Sequence, residues 1–96
     1  MINTYKFNKM APIEKAICVA TMAHAGQKDK AGKPYILHPL RVMNKVADSL
    51  KVPAVLHDVL EDTTTTIEYL KNIFNPYDIA IIEVLTWDKE SETYQQ

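Results

Sequence analysis

The sequence predicts an all-α helical bundle of about five or six helices, and three observations support this fold class. Apolar residues recur at helical spacing in several segments, prolines stand where helices begin, and no stretch alternates apolar and polar residues as a half-buried strand does. The 96 residues suffice for one core and are too few for two. With 47% apolar and 24% charged residues, the chain has the composition of a folded globular domain.

The first predicted helix spans residues 12–24 and begins at a proline, which suits the first turn because its missing N–H is not needed there. Its apolar stripe consists of Ile13, Ala16, Ile17, Ala20 and Ala23. The principal loop follows over residues 26–34. It holds both glycines of the chain, Gly26 and Gly32.

Proline also marks the next two helices. Pro39 opens a second helix that is expected to end near Leu50, and Pro53 opens a third over residues 54–61. The stripe of the second helix contains Leu40, Met43, Val46, Ala47 and Leu50. Both segments are therefore expected to pack one face against the core.

Capping signals define the remaining helices. Thr65 and Glu68 form a capping box pattern that predicts a short fourth helix. Asn75 followed by Pro76 predicts a fifth, whose apolar positions include Ile79 and Ile82. Residues 91–94 resemble the start of one more helix.

Charge and cysteine content limit the function classes. The net charge of −1 provides no global positive field, so we expect neither nucleic-acid nor membrane binding. The single cysteine, Cys18, fits a reducing compartment. No apolar run approaches the roughly 18 residues of a membrane span, and the first ten residues are too polar for a signal peptide. We therefore expect a cytoplasmic protein that begins at Met1.

Four ionisable side chains lie on one arc of the third helix. His57, Asp58, Glu61 and Asp62 fall within an arc of about 140°, at about 100° per residue, and the apolar face is separate. The arc is either a solvated surface or a site. Carboxylates are disfavoured in the last turn of a helix, and a bound cation would reverse that effect. Imidazole beside carboxylate suits Mn²⁺, Fe²⁺, Co²⁺ or Zn²⁺ in an open catalytic site.

Other candidate groups lie in and around the principal loop. His38 is either a second metal ligand or a histidine packed under the loop. His24 is interpreted as a C-terminal capping residue whose ring meets the last carbonyls of its helix, outside the metal site. The basic side chains near the loop either bind phosphates or are solvated: Lys28, Lys30, Lys33 and Arg41.

Two motifs in this order resemble a known family. Residues 23–40 contain Gly26-Gln27 and Pro34-Tyr35-Ile36-Leu37-His38-Pro39, and residues 57–63 contain the His-Asp and Glu-Asp pairs. Together they resemble the HD-domain hydrolases of the RelA/SpoT type, over roughly residues 12–90. The resemblance implies an all-α phosphohydrolase that uses a divalent metal, usually Mn²⁺, and removes pyrophosphate from the 3′ position of the alarmone (p)ppGpp, a nucleotide of the stringent response.

The resemblance also implies roles for individual residues. His38, His57 and Asp58 match the metal-binding positions, and Glu61 and Asp62 match the pair that positions the attacking water and handles protons. Lys30 matches a basic residue near the substrate, and Lys28 is its neighbour in the cluster. A divalent ion would lower the pKa of bound water enough to supply hydroxide, which would attack the 3′-linked phosphorus.

Two departures from the family pattern keep alternatives open. Asp29 stands where these hydrolases commonly carry an arginine able to stack on guanine, so another phosphoester is an alternative substrate. The last metal-binding aspartate of the family, in a Lys-x-Ala-Asp segment on a later helix, has no counterpart, and neither Asp78 nor Asp88 has that motif. Residues 1–96 are therefore expected to be one HD-type domain that lacks the C-terminal helices.

The missing aspartate has two further consequences. Three protein ligands would hold a metal more weakly, so a truncated or degenerate domain that binds metal or a partner without turnover is the other alternative. A bundle without its last helices would also expose an apolar groove. Such a groove favours pairing of chains, and we expect a homodimer.

Overall fold

A computed structural model describes the backbone of residues 4–95 and the side chains of residues 4–86. Within these residues the fold is an all-α bundle, as the sequence predicts, and the only pairing of extended backbone is an isolated bridge between Lys28 and Pro34. The helices are α1 (Thr4–Lys9), α2 (Pro12–Ala23), α3 (Leu37–Met43), α4 (Lys51–Asp62), α5 (Ile67–Lys71) and α6 (Pro76–Gln95). No helix of this part of the chain is long and apolar enough to cross a membrane.

Helix α4 lies at the centre of the bundle, in contact with α2, α3 and α6. Its apolar residues Val55, Leu56 and Val59 are completely buried. Each buried side chain of this size stabilises the fold by about 1.5–3 kcal/mol. The rest of the core comes from the surrounding helices and includes Ala16, Val19, Ala20, Leu70, Phe74, Ile79 and Ile82. Since three helices enclose the apolar face of α4, the polar residues on the same helix are held in fixed positions.

The start of the chain differs from the sequence-based expectation. Helix α1 is not predicted by the proline and capping patterns, yet Thr4–Lys9 is helical and its Phe7 packs against the core. Lys15 of α2 lies over the Phe7 ring at 5.7 Å. Helix α2 begins at Pro12 as predicted, and the Glu14 carboxylate accepts a hydrogen bond from the Ala11 N–H at 2.8 Å.

The predicted end of the second helix is wrong. Helix α3 begins at Leu37, two residues before Pro39, and ends at Met43; a short 3₁₀ turn, Asp48–Leu50, precedes α4. The physical reason is Lys51, whose ammonium group donates to the carbonyls of Met43 and Val46 at 2.9 and 3.0 Å. A donor from outside the helix thus satisfies carbonyls at its end.

Two capping predictions need correction. The N-cap of α5 is Thr66 rather than Thr65, because the Thr66 hydroxyl accepts from the Tyr69 N–H at 3.2 Å. Thr65 instead donates its N–H to the Thr63 hydroxyl. Asn75 caps α6 as predicted. The expected new helix start over residues 91–94 is wrong, because the backbone of α6 continues without a break to Gln95.

Candidate active site

Helix α4 carries all four ionisable residues of the predicted arc, but their environments differ. Asp58 is only 5% exposed, whereas Glu61 and Asp62 are exposed on the last turn and His57 is half-buried. Asp58 is enclosed although it lies inside the polar arc, between Glu61 and Asp62 on the helical wheel. A solvated surface therefore does not describe this residue, because a buried carboxylate needs partners.

The Asp58 carboxylate lies close to three polar side chains, those of Tyr35, His38 and His57. Its Oδ2 atom accepts a hydrogen bond from the Tyr35 hydroxyl at 3.0 Å and lies 3.8 Å from Nε2 of His38. Its Oδ1 atom lies 3.0 Å from Nε2 of His57. The His38 side chain is 46% exposed, so it is not the histidine packed under the loop that was the alternative. We call His38, His57 and Asp58 the ligand triad.

The tautomer of His57 follows from its second contact. Its Nδ1 lies 3.0 Å from the Ala54 carbonyl, which can only accept, so Nδ1 carries a proton. The Nε2 lone pair of a neutral ring would then face the Asp58 carboxylate. A proton on Nε2 makes the ring positively charged and removes this repulsion between Nε2 and the Asp58 carboxylate. Accordingly, the hydrogen bond to Asp58 raises the pKa of His57, with burial opposing it and the Ala54 carbonyl and nearby acidic charges adding to it.

The ligand triad suits a divalent cation in the chemistry of its donor atoms. The proton that favours the contact between His57 and Asp58 occupies the place of a cation, and mixed imidazole and carboxylate donors suit Mn²⁺ or Zn²⁺. Among the described side chains, however, no group of three or more such residues is arranged as a preformed metal site.

Glu61 and Asp62 lie one turn beyond His57 and Asp58. The charge of Glu61 contributes to the raised pKa of His57, and that of Asp62 contributes to the raised pKa of Tyr35. For Tyr35 the larger causes are burial and the hydrogen bond to Asp58. The two exposed carboxylates therefore act electrostatically on the same small region. The structure brings together five of the seven predicted site residues, namely His38, His57, Asp58, Glu61 and Asp62.

Comparison with known proteins adds the family. A protein of Aquifex aeolicus named guanosine-3′,5′-bis(diphosphate) 3′-pyrophosphohydrolase is 40% identical over 77% of this chain, and one of the same name from Borreliella burgdorferi is 35% identical over 88%. A GTP pyrophosphokinase of Streptomyces coelicolor is 39% identical over 77%. This chain is a homologue of a segment of the RelA/SpoT-type enzymes. No protein-family model matches it.

The chain covers only a small part of each relative. The aligned segment spans 11%, 14% and 9% of the Aquifex, Borreliella and Streptomyces proteins, about a tenth of the length of the curated relatives it matches. The sequence-based recognition of the family is confirmed at this level.

The remaining predicted residues, Lys28 and Lys30, are exposed on the principal loop of this RelA/SpoT-type homologue. Asp29 between them folds the loop: its Oδ1 accepts from the backbone N–H groups of Ala31 and Lys33, each at 2.9 Å. The bond from Lys33 is the main cause of the lowered pKa of Asp29. The loop therefore presents two exposed cations on either side of a carboxylate that accepts hydrogen bonds from the loop backbone.

The interpretation of His24 needs correction, and two residues of the site were missed. The backbone N–H of His24 caps α2 through Ala20, but the ring does not meet those carbonyls. The ring is 2% exposed and its Nδ1 donates to Oε1 of Gln27 at 3.1 Å. Gln27 in turn donates to the Asp62 carbonyl at 3.1 Å. Gln27 and Tyr35 belong to the motif that carries the resemblance, and that was the signal available in the sequence.

Proposed function

We propose that this chain provides the hydrolase site of a metal-dependent nucleotide phosphohydrolase that removes pyrophosphate from the 3′ position of (p)ppGpp. The observation that carries the proposal is the buried Asp58 carboxylate, which lies between His57 and His38 and one turn before two exposed carboxylates. The names of the Aquifex and Borreliella relatives, which describe a 3′-pyrophosphohydrolase, supply the substrate.

The proposed cofactor is one divalent ion, most simply Mn²⁺, held by His38, His57 and Asp58. When bound, such an ion lowers the pKa of a water molecule and offsets the charge of phosphate oxygens. The Nδ1–H of His57 is engaged by the Ala54 carbonyl, so Nε2 is the donor atom that remains for the ion. Asp58 adds a negative charge that stays desolvated because the carboxylate is buried.

The chain's own residues then handle the proton. Glu61 and Asp62 are exposed and one turn away, so they can orient the attacking water and accept its proton. A bond forms between the water oxygen and the phosphorus attached to the 3′ oxygen, and the bond from that phosphorus to the 3′ oxygen breaks. The 3′ oxygen takes a proton, which leaves a 3′-hydroxyl on the nucleotide and releases pyrophosphate. Lys28 and Lys30 bind the phosphates through charge.

A second candidate is hydrolysis of another phosphoester by the same groups. The observation in its favour is Asp29, whose carboxylate is occupied by loop N–H groups and places no planar cation at this position. Lys28 and Lys30 would then bind the phosphate groups of a substrate without selecting its nucleobase. The third candidate, a truncated or degenerate domain that binds a metal or a partner without turnover, is favoured because the described side chains form no complete metal site of three or more ligands.

The test is pyrophosphate release from ppGpp by the purified chain with Mn²⁺, followed by a panel of other nucleotides and phosphoesters. We expect His57→Ala and Asp58→Ala to lose bound metal and activity together. We expect Asp62→Asn to keep the metal and lose turnover. Asp48→Asn is the matched control, because the Asp48 side chain is fully exposed and, within the described residues, its only ion pair is with Lys51, at 3.9 Å.

The outcomes separate the three candidates. Metal binding with pyrophosphate release from ppGpp supports the first. Metal binding with turnover of a different phosphoester only would replace it by the second, and metal binding without turnover of any substrate would replace it by the third. If both His57→Ala and Asp58→Ala retained a stoichiometric transition metal, the ligand assignment would be wrong.

A further inference from the structure

Tyr35 is the side chain that connects the loop to the ligand triad. It lies between the principal loop and α3, and its ring packs between two histidines, with ring centres 4.8 Å from His24 and 5.7 Å from His38. Its backbone is fixed as well: the Tyr35 N–H donates to the Gln27 carbonyl at 2.9 Å, and the Tyr35 carbonyl accepts from the His38 N–H at 2.9 Å. The position of the ring is therefore set by contacts on several sides.

The hydroxyl of Tyr35 reaches across to α4. It donates to Oδ2 of Asp58 at 3.0 Å, over 23 positions of sequence. The terminal torsion of an aspartate has broad minima, so neighbouring groups decide how its carboxylate is rotated. With Oδ2 engaged by Tyr35, Oδ1 is the atom that faces Nε2 of His57 at 3.0 Å. The two carboxylate oxygens of Asp58 therefore have different partners: Oδ2 accepts from the Tyr35 hydroxyl, and Oδ1 faces His57.

We propose that Tyr35 is a positioning residue for the metal site, acting on two of its three ligands. Its hydroxyl fixes the rotation of the Asp58 carboxylate, so that Oδ1 is presented beside His57. Its ring and its carbonyl fix the orientation of His38. The inference rests on the proposed function, since it requires that the ligand triad binds a metal. Removal of an outer hydrogen-bond partner of a metal ligand typically lowers metal affinity about 10- to 100-fold.

The test uses Tyr35→Phe, which removes the hydroxyl and keeps the ring. Tyr77→Phe is the matched control, because Tyr77 is an exposed tyrosine at the start of α6. Mn²⁺ affinity is measured by competition with a chelator. We expect Tyr35→Phe to bind Mn²⁺ about 10- to 100-fold more weakly and Tyr77→Phe to match the wild type. The electron paramagnetic resonance spectrum of bound Mn²⁺ should change in Tyr35→Phe alone, which a general loss of stability would not produce.

A second variant, Tyr35→Leu, removes the ring as well and should bind more weakly still, because His38 loses its packing partner. Circular dichroism in EDTA checks that each variant is folded, and the affinity is compared only between folded variants. Wild-type Mn²⁺ binding with a Tyr35→Phe affinity within twofold would overturn this inference and leave the proposed function intact. Absence of Mn²⁺, Co²⁺ and Zn²⁺ binding by the wild type would overturn both.

Discussion

Replacement of Gln27 by methionine tests whether the loop is anchored to the end of α4. The Gln27 amide accepts from the His24 ring and donates to the Asp62 carbonyl, each at 3.1 Å. His24 is 2% exposed, and its Nε2 has no hydrogen-bond partner among the described residues. After Gln27→Met the Nδ1–H would be unpaired too. Because only 2% of His24 is exposed, solvent has little access to replace the lost oxygen.

The expected loss can be worked out from these two bonds. An unsatisfied buried donor costs about 1–3 kcal/mol, and the bond to the exposed Asp62 carbonyl adds roughly 0.5 kcal/mol. We therefore expect Gln27→Met to lower the free energy of unfolding by about 1.5–3.5 kcal/mol. In a domain of this size that is a fall in Tm of roughly 6–28 °C.

The assay is urea unfolding in EDTA, followed by circular dichroism. The matched control is Asn44→Leu, which replaces an exposed amide after α3 whose side chain makes no hydrogen bond within the described residues. The control should stay within about 0.5 kcal/mol of the wild type. A loss below about 0.5 kcal/mol in Gln27→Met, at an unchanged urea dependence, would refute the reasoning that this amide holds the loop to α4.

Three further predictions concern the core, the pH dependence and the metal. Leu56→Ala should lose about 2–5 kcal/mol in urea unfolding, because the side chain is completely buried in α4; the exposed Leu85→Ala is the control, and equal losses would contradict the assignment. Burial raises the pKa of Asp78, which is 6% exposed, so its contribution is complete below its unfolded pKa of 3.8 and is lost as the pH rises through the higher folded value. Asp78→Asn should therefore unfold at higher urea than the wild type at pH 7, and this advantage should vanish below about pH 3.8; a gain that is independent of pH would contradict it. Mn²⁺ should raise the Tm of the EDTA-treated chain in proportion to the logarithm of its excess over Kd, and a Tm unaffected by Mn²⁺ would count against the site.

The sequence predicts features set by neighbouring residues and misses contacts between residues that lie far apart in the chain. Helical periodicity correctly assigns His57, Asp58, Glu61 and Asp62 to one helix, because four neighbouring residues share a face whatever surrounds them. It cannot tell that Asp58 is buried, since burial depends on α2, α3 and the loop. The end of α3 is missed for the same reason: the donor that satisfies its last carbonyls is Lys51, eight positions beyond Met43.

Partners that lie far apart in the sequence account for the rest of the site. Tyr35 reaches Asp58 over 23 positions and Gln27 reaches the Asp62 carbonyl over 35. Neither residue belongs to a pattern of periodicity or charge. Only the resemblance to a family singled out the motif that contains them, and it assigned roles to His38 and to neighbouring lysines. Residues that hydrogen-bond to a site from outside are identified from the structure. Their side-chain types are common in any sequence, and only their positions in the fold distinguish them.

Hydrogen bonds within the protein offset part of the electrostatic cost of the carboxylates in the last turn of α4. Carboxylates in the last turn of a helix face unpaired carbonyls, and a bound ion would offset the cost. Part of this cost is offset without an ion. The Thr63 hydroxyl and N–H both donate to the Val59 carbonyl, at 2.6 and 3.2 Å, and Gln27 donates to that of Asp62.

Asp58 is therefore the carboxylate of α4 that a nearby positive charge would stabilise most. Glu61 and Asp62 are exposed, so water screens them, whereas Asp58 is desolvated and has two imidazoles within 4 Å. A cation placed at Asp58 would gain the most electrostatic energy, and Glu61 and Asp62 would still be solvated groups able to exchange protons. This separation suits the proposed hydrolysis, because the group that holds the cation and the group that takes the proton must differ. It also explains why Asp62→Asn should impair turnover while sparing the metal.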